Sequence, residues 1–599
     1  MTRRHSANLL LPAVLALLLA NTAALPTAYA LEQAQTASAT AAESVQQNTQ
    51  QATAPTEVPS AMPLSGSALK LSQLLEPISL GESDTLGAAV LGSPELLVRF
   101  YQNRQFTPLW TDPDYSREAI GILDGAADDG LLPADYHAEL LKALQNDDSK
   151  ALEYELLLTD GIITLGTHLM NGKVNPQDLG RTWNYEELTV NFGYLAKELD
   201  RHVREKSLAQ ALDSLRPQFQ PYRDLKAHLK RMQTLAANQP FAVIPLDATI
   251  RPGKPSPSLA AIAERLTLLG YLTKDTDAQT DTAANSTTAS TSSALTLSGE
   301  LLQAVKEFQA SHSLKPDGVI GKGTMAALNV PFAERAKQIQ VNLERARWLS
   351  ADLSSDFLIV NLAGYQLKLF RENRLDWETD IIIGKVSSKT PLFKSRLKYM
   401  VVNPTWTVPR SISREIIWHL KKDPEYLQKK NFVLRTASGA PADSSGIDWQ
   451  TVNPRSFPYW FVQQPSENNA LGQIKFIFPN AHSIYLHDTP AKSLFSQEDR
   501  AFSHGCIRVK DPLVLAERLM SPAPNWSPDS LNQSLASGET KQIFLAEPLD
   551  ILIMYWTAEP RDGKLQFYKD IYKRDQAVAD ALLGQRHSRI AAAGDPNLL

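Results

Sequence analysis

From residue 68 to 245 the apolar positions recur every three to four residues, the period of helices with one buried face. Ser93-Pro94 opens one of these helices, a capping residue followed by proline at the first helical position. Leu96, Leu97, Phe100 and Tyr101 supply its apolar face. Leu152, Leu156, Ile163 and Met170 predict a long amphipathic helix that stops at Asn171-Gly172. No cluster of catalytic residue types interrupts this stretch, so it predicts a helical scaffold. A smaller helical pattern spans 256–330. Leu259, Ile262, Leu266 and Leu269 mark a first helix ended by Gly270. Leu301, Val305 and Phe308 mark a second, capped by Ser298. Pro316-Asp317-Gly318 then predicts a turn: fixed φ, an Asx hydrogen bond, and a residue free to take positive φ. Thr324 to Leu328 opens a third helix. Between the first two helices, 275–294 is Asp, Thr, Ala, Ser and Asn, which predicts a disordered insert.

A linking helix over 331–350 follows, on Ile339, Leu343 and Ala346. The period then switches to two. Leu358, Val360 and Leu362 alternate, Ala363-Gly364 turns, and Tyr365, Leu367 and Leu369 alternate again, which predicts a hairpin. Further strands are predicted at 381–383, 399–402, 475–478, 483–486, 542–544 and 551–554, with helices at 413–420 and 511–519. The expectation is a mainly β domain over 356–572 with a long insertion over 411–459, then a C-terminal tail over 573–599. The fold class is therefore multidomain: a helical scaffold, a small three-helix module and a β domain.

The first residues follow another pattern. Arg3 and Arg4 precede an apolar run from Leu9 to Ala20, and Ala28-Tyr29-Ala30 is a small-x-small cleavage site. Residues 1–30 thus read as a secretory signal on the general route, too short for a comfortable membrane span of about 20 residues. An uncleaved anchor is the other reading. Residues 31–67, rich in Ala, Gln, Thr, Ser and Pro, predict a disordered tether. The 599 residues allow several domains, each with its own core. A formal charge of −5 leaves no basic field for nucleic acid. A single cysteine excludes an internal disulfide and a thiolate zinc site.

That cysteine, Cys506, lies in Ser503-His504-Gly505-Cys506-Ile507-Arg508, 19 positions after His487. In an exported chain it is buried and inert, paired with another chain, or a reactive thiol. A thiol attacks a carbonyl as its thiolate, so something must lower its pKa or take its proton. His487, at the end of an apolar strand, fits that role better than His504, which the loop holds two residues from the sulfur. Gly505 lets a reacting carbonyl approach, and its N–H with that of Cys506 makes a candidate oxyanion cradle. Arg508 is placed to pair with a carboxylate. His482, His487, His504 and Cys506 match no defensible zinc spacing.

His487-Asp488-Thr489 followed by Ser503-His504-Gly505-Cys506-Ile507-Arg508 closely resembles the signature of the L,D-transpeptidases, the YkuD-like catalytic domain. The runs Asn403-Pro404-x-Trp406-x-Val408-Pro409-Arg410-Ser411-Ile412, Asn469-Ala470-Leu471-Gly472 and Tyr485 to Pro490 resemble the large periplasmic YcbB-like subgroup. Phe106-x-Pro108-Leu109-Trp110 and Val341-Asn342-Leu343-Glu344-Arg345 resemble its scaffold and linker. The 256–330 region is similar to a peptidoglycan-binding module. Asp488 stands where smaller relatives often have glycine, as a subgroup trait. The resemblance implies a reaction in which Cys506 attacks the third residue of a stem tetrapeptide, D-alanine leaves, and a diaminopimelate amine resolves the thioester into a 3→3 cross-link. His487 would be base and acid, Ser503, His504 and Gly505 the nucleophile loop, and Tyr485 and Arg508 the substrate lining. The insertion would be a capping subdomain. No metal or organic cofactor is implied. Peptidoglycan stems would be the partners and carbapenems the inhibitors, in a periplasmic setting. The competing readings are a catalytically silent wall-binding scaffold and a papain-type peptidase; the latter places cysteine before histidine, the reverse of this chain.

Overall fold

The computed structural model describes residues 64, 66–180, 183–184, 192–273, 295–349, 354–521 and 527–584. The predicted signal, nearly all of the tether, the polar insert and the end of the tail lie outside them.

The scaffold is helical, as its periodicity dictates, around a central helix, Ala151–Asn171. This helix is not amphipathic: Glu155 through Leu169 are all buried. Neighbouring helices surround it, and its polar residues serve as anchors for the loops that pack on it. Glu155 accepts from the Tyr101 hydroxyl at 2.6 Å and from the N–H groups of Leu109 and Trp110. Asp160 accepts from the N–H groups of Gly92 and Ser93, both at 2.9 Å, and meets His137 Nε2 at 2.8 Å. The Phe106 to Trp110 run is therefore a loop fastened to a buried carboxylate. Ser93 precedes helix Pro94–Asn103 with proline inside the first turn, but its hydroxyl accepts from Thr164 and does not cap.

The small module has its own core, and Ile244 and Ile250 join it ahead of residue 256. Ile250 bridges Ile320, and the Asn329 side chain brackets Ile244 by bonding its N–H and its carbonyl. Gly270 ends the helix Leu259–Leu269 at φ 84°, and Asp317 Oδ1 accepts from Val319 N–H in the predicted Asx turn. Ser298 supplies no side-chain cap to Gly299–Ser311.

The linking helix, Phe332–Arg347, packs against the scaffold helix Gln220–Asn238. Its motif ties three parts of the chain together. Asn342 exchanges hydrogen bonds with Thr557, at 2.9 Å each way. Glu344 accepts from Val174 N–H and pairs with the fully buried Arg347 at 2.6 Å. Arg345 pairs with Asp575 at 2.7 Å. Asp575 opens a helix, Asp575–Leu583, whose Val578, Ala579 and Leu582 are buried, so the start of the predicted tail is a packed element. Scaffold, linker and β domain share one continuous apolar core; among the described residues, the small module and the insertion have cores of their own.

In the β domain the strands are β1 (Phe357–Asn361), β2 (Gln366–Arg371), β3 (Arg374–Gly384), β4 (Leu392–Val402), β5 (Ile474–Ile477), β6 (Leu486–His487), β7 (Ala501–Ser503), β8 (Ile507–Val509) and β9 (Lys541–Met554). Pairing runs β5–β6–β8–β3–β2–β1–β9–β4 and returns to β5, so the sheet closes on itself. The predicted hairpin is β1 and β2. The two late strands are one, β9, whose register shifts between Phe544 and Leu549, where Pro548 removes a ladder donor. Of the strand predicted at 483–486 only Leu486 joins the ladder, because Ser483 has φ 55° and Asn480 Oδ1 takes the Ile484 N–H. The insertion begins and ends on paired strands, Trp406–Thr407 and Trp460–Gln463, and its core includes Val408, Ile417, Leu434 and Phe461.

Candidate active site

Three adjacent strands build the site. The β6 strand runs parallel to β8, with His487 opposite Arg508 and Leu486 opposite Ile507. On the other side β6 runs antiparallel to β5, with Lys475 opposite His487. Partners across a ladder share a face and residues two apart in a strand share it too. Lys475, His487 and Arg508 therefore form one row, with Tyr485 one level along from His487 on the same face. The Ile507 N–H donates to the Tyr485 carbonyl, which sets Tyr485 beside Cys506.

His487 is buried, and its Nδ1 lies 2.5 Å from the Asp488 carbonyl. A carbonyl only accepts, so Nδ1 carries the proton and Nε2 keeps its lone pair, the form a general base needs. Burial pushes the imidazole pKa down to about 3, and the charges of Arg508 and Lys475 push the same way against the Asp488 bond. Burial pushes the Cys506 thiol up, while the Tyr485 N–H, the Tyr485 hydroxyl and Arg508 pull it down. Burial thus disfavours charge on both groups, and the thiol donates to the Ser483 carbonyl at 3.7 Å. The Tyr485 hydroxyl also bonds the Trp406 side chain, which connects the sulfur to the first strand of the insertion. Arg508 is partly buried; its Nε has no hydrogen-bond partner among the described residues, and burial lowers its pKa.

The loop that carries Cys506 is braced from inside. The Ser503 hydroxyl accepts from Gly505 N–H at 3.0 Å and donates to the Cys506 carbonyl at 2.5 Å. The Gly505 N–H is therefore engaged, and the expected two-donor oxyanion cradle loses that member. Gly505 has φ 125°, in the region that favours glycine. Its carbonyl accepts from the Thr390 hydroxyl, which in turn accepts from Gly384 N–H. Gly384 lies so close that an added Cβ would stand 3.1 Å from Gly505 Cα. His504 points away from the sulfur. Its Nε2 lies 3.0 Å from Glu415 Oε1 of the insertion and 3.1 Å from Lys385 Nζ. His482 stacks near Phe393.

The subgroup runs converge beside this loop. Asp488 Oδ2 accepts from Gln473 N–H and crowds Gly472, whose φ is 58°. Asn469 donates to the Pro404 carbonyl, and Asn403 N–H donates to the Gln473 carbonyl. The aspartate in place of glycine thus fastens the turn that enters β5. Lys475, Thr390 and Gly384 carry no motif, and the sequence did not reveal them as site residues. Strand register places Lys475 and Gly384 there, and hydrogen bonds to Gly384 and Gly505 place Thr390.

Comparison with known proteins defines the class of the β domain. The L,D-transpeptidase catalytic domain profile matches residues 355–529. A scaffold domain profile matches 95–229, and a profile described as "Putative peptidoglycan binding domain" matches 296–328. A Haemophilus influenzae protein named "Putative L,D-transpeptidase" is 35% identical over 222 residues, covering 37% of this chain and 45% of that protein. The chain thus spans a little under half the length of that curated relative. Two solved structures are similar to it at low identity. The L,D-transpeptidase of Xylanimonas cellulosilytica shares 14% identity, covering 52% of this chain and 99% of that one, at a TM-score of 0.15. The structure titled "Structure of the Ldtfm-avibactam carbamoyl enzyme" shares 12%, covering 34% and 49%, at 0.16. Those scores are too low to bear on the argument. On these matches, one polypeptide carries a scaffold domain, a putative peptidoglycan-binding domain and an L,D-transpeptidase catalytic domain, the arrangement expected of the YcbB-like subgroup.

Proposed function

We propose that the protein is a periplasmic L,D-transpeptidase that forms 3→3 peptidoglycan cross-links through a thioester on Cys506. The observation that carries this reading is the His487 tautomer. A neutral imidazole, its Nδ1–H fixed on the Asp488 carbonyl, keeps Nε2 as its acceptor nitrogen, in the row it shares with Arg508, two residues after Cys506.

His487 Nε2 takes the thiol proton as the sulfur bonds to the carbonyl carbon of the third stem residue. The C–N bond to D-alanine then breaks, and the same proton passes from Nε2 to the leaving amine. A diaminopimelate amine of a second stem attacks the thioester. Its nitrogen bonds to the carbonyl carbon, the C–S bond breaks, and its proton returns through His487 to the sulfur. The Tyr485 N–H and hydroxyl stabilise negative charge on sulfur in both steps. Carbapenems would acylate the same thiol, as acyl donors without a second substrate. Export rests on the Arg3-Arg4, Leu9 to Ala20 and Ala28-Tyr29-Ala30 pattern. No helix among the described residues is long and apolar enough to cross a membrane.

Incubating the mature protein with a disaccharide-tetrapeptide and weighing the products tests the reading. The expected product is a dimer lighter than two donors by one alanine, absent with Cys506→Ala. No dimer, or a dimer formed by Cys506→Ala, refutes it. A silent wall-binding scaffold would bind the glycan and return the donor unchanged.

A further inference from the structure

The β5 strand brings a second cation to the base. Lys475 and Arg508 flank His487 in one row across three strands, about 5 Å from it on either side at the backbone. Both are partly buried, and no carboxylate among the described residues acts on either. Three buried cations elsewhere in the molecule meet carboxylates, whereas Arg265 meets the carbonyls of Leu328 and Ala242. Lys173 meets Asp135 at 2.7 Å, Arg347 meets Glu344 at 2.6 Å and Lys368 meets Glu559 at 2.5 Å. The nearby Asp488 is already held by Lys492 and the Gln473 N–H. Desolvating an ammonium without a counter-charge is unfavourable, and burial lowers the Lys475 pKa for that reason. Lys475 Nζ lies 6.0 Å from the centre of the Tyr485 ring, towards the level of the sulfur. A lysine kept in such a place with an aromatic ring but no carboxylate beside it is matched to a charge that arrives with the substrate.

Position says which charge. Arg508 lies two residues after Cys506, in the strand that the Cys506 turn enters, and interacts with the sulfur, so it belongs to the nucleophile side of the base. Lys475 is on the opposite side of His487. A general base that later protonates the leaving amine stands between nucleophile and leaving group. An amino acid leaving through its amine carries its α-carboxylate one carbon from that nitrogen.

We infer that Lys475 is a specificity-determining residue that binds the free α-carboxylate of the donor's last residue, so that the enzyme selects donors ending one residue past the scissile bond. This rests on the reaction proposed above. A donor one residue longer places a peptide carbonyl, without charge, where the carboxylate belongs.

The test compares a tetrapeptide donor with its C-terminal carboxamide, on wild-type protein, Lys475→Met and Lys475→Arg, following the mass of the Cys506 adduct over time. Loss of one charge-assisted hydrogen bond predicts that amidation lowers wild-type kcat/KM by about 10- to 100-fold, chiefly through KM. Lys475→Met should process both donors at the amidated level, and Lys475→Arg should keep the preference. A Lys475→Met enzyme that still prefers the free carboxylate by the wild-type factor overturns the inference. So does a wild type indifferent to amidation, a result that stands even if Lys475→Met does not fold and that leaves the transpeptidase reading intact. A wild type inert towards both donors overturns that reading and this inference with it.

Discussion

At the residue scale the site depends on two groups held neutral. His487 stays unprotonated down to about pH 3, because burial and two cations oppose its charge. A histidine with a depressed pKa remains a competent base as pH falls through the usual imidazole range, so kcat/KM should not decline between pH 7.5 and 5.5. Burial raises the thiol, so alkylation of Cys506 by iodoacetamide should climb steadily through the alkaline range and be negligible at pH 5. An acid-stable plateau of alkylation would show a thiolate–imidazolium pair instead. His487→Ala should slow carbapenem acylation by about 10²- to 10⁴-fold. His504→Ala should slow it much less, because His504 contacts Glu415 and not the sulfur. Adduct mass against time measures both, and a larger loss for His504→Ala would exchange their roles. Cys506 and His487 stand out as candidates from sequence because the runs around them are short and local, and the structure sets those runs on adjoining elements. Lys475 was not, since one lysine in Lys475-Phe476-Ile477 looks like the polar half of any alternating strand. Its place is fixed by pairing with His487, which sequence spacing does not disclose.

At the element scale, the turn that presents the nucleophile depends on glycine. Gly505→Ala would force an L side chain into φ 125° and set its Cβ 3.3 Å from Ile484 Cδ1. Strain of this kind costs about 1–3 kcal/mol. A short loop sheds it by shifting, so the variant should fold with a near wild-type melting temperature yet lose at least about tenfold in acylation rate. Circular dichroism melts beside adduct kinetics separate the two effects. Most elements followed from periodicity: the β1–β2 hairpin, the three helices of the small module and the linking helix. The errors have physical causes. The spacing of Leu152, Leu156, Ile163 and Met170 in the helix Ala151–Asn171 is that of an amphipathic helix, but its polar face is buried too, where Glu155 and Asp160 satisfy backbone N–H groups. The β9 strand looked like two because Pro548 interrupts its pattern but only bulges the ladder.

At the scale of the whole molecule, scaffold and β domain are one cooperative body, since a single core runs through both and the linking helix joins them. The sequence suggested separate cores, because a boundary between helical and alternating periods looks the same whether or not the two regions pack together. Glu344→Gln would leave the fully buried Arg347 without its counter-charge, a loss of about 3–5 kcal/mol. It should therefore lower the melting temperature by several degrees in one transition, with tryptophan fluorescence and acylation competence lost together. Two separated transitions would show that scaffold and catalytic domain unfold independently.

The small module enters and leaves the molecule at one point, because Asn329 holds both backbone groups of Ile244. In topological terms the module is a loop, and the helices on either side of it, Gln220–Asn238 and Phe332–Arg347, already pack together. The cost of closing a loop grows only with the logarithm of its length, so that helix pair tolerates a short turn there as readily as a folded module. Gain or loss of the whole module is then a one-step event in the history of such a gene, an excision between touching ends that leaves β6 and β8 in register.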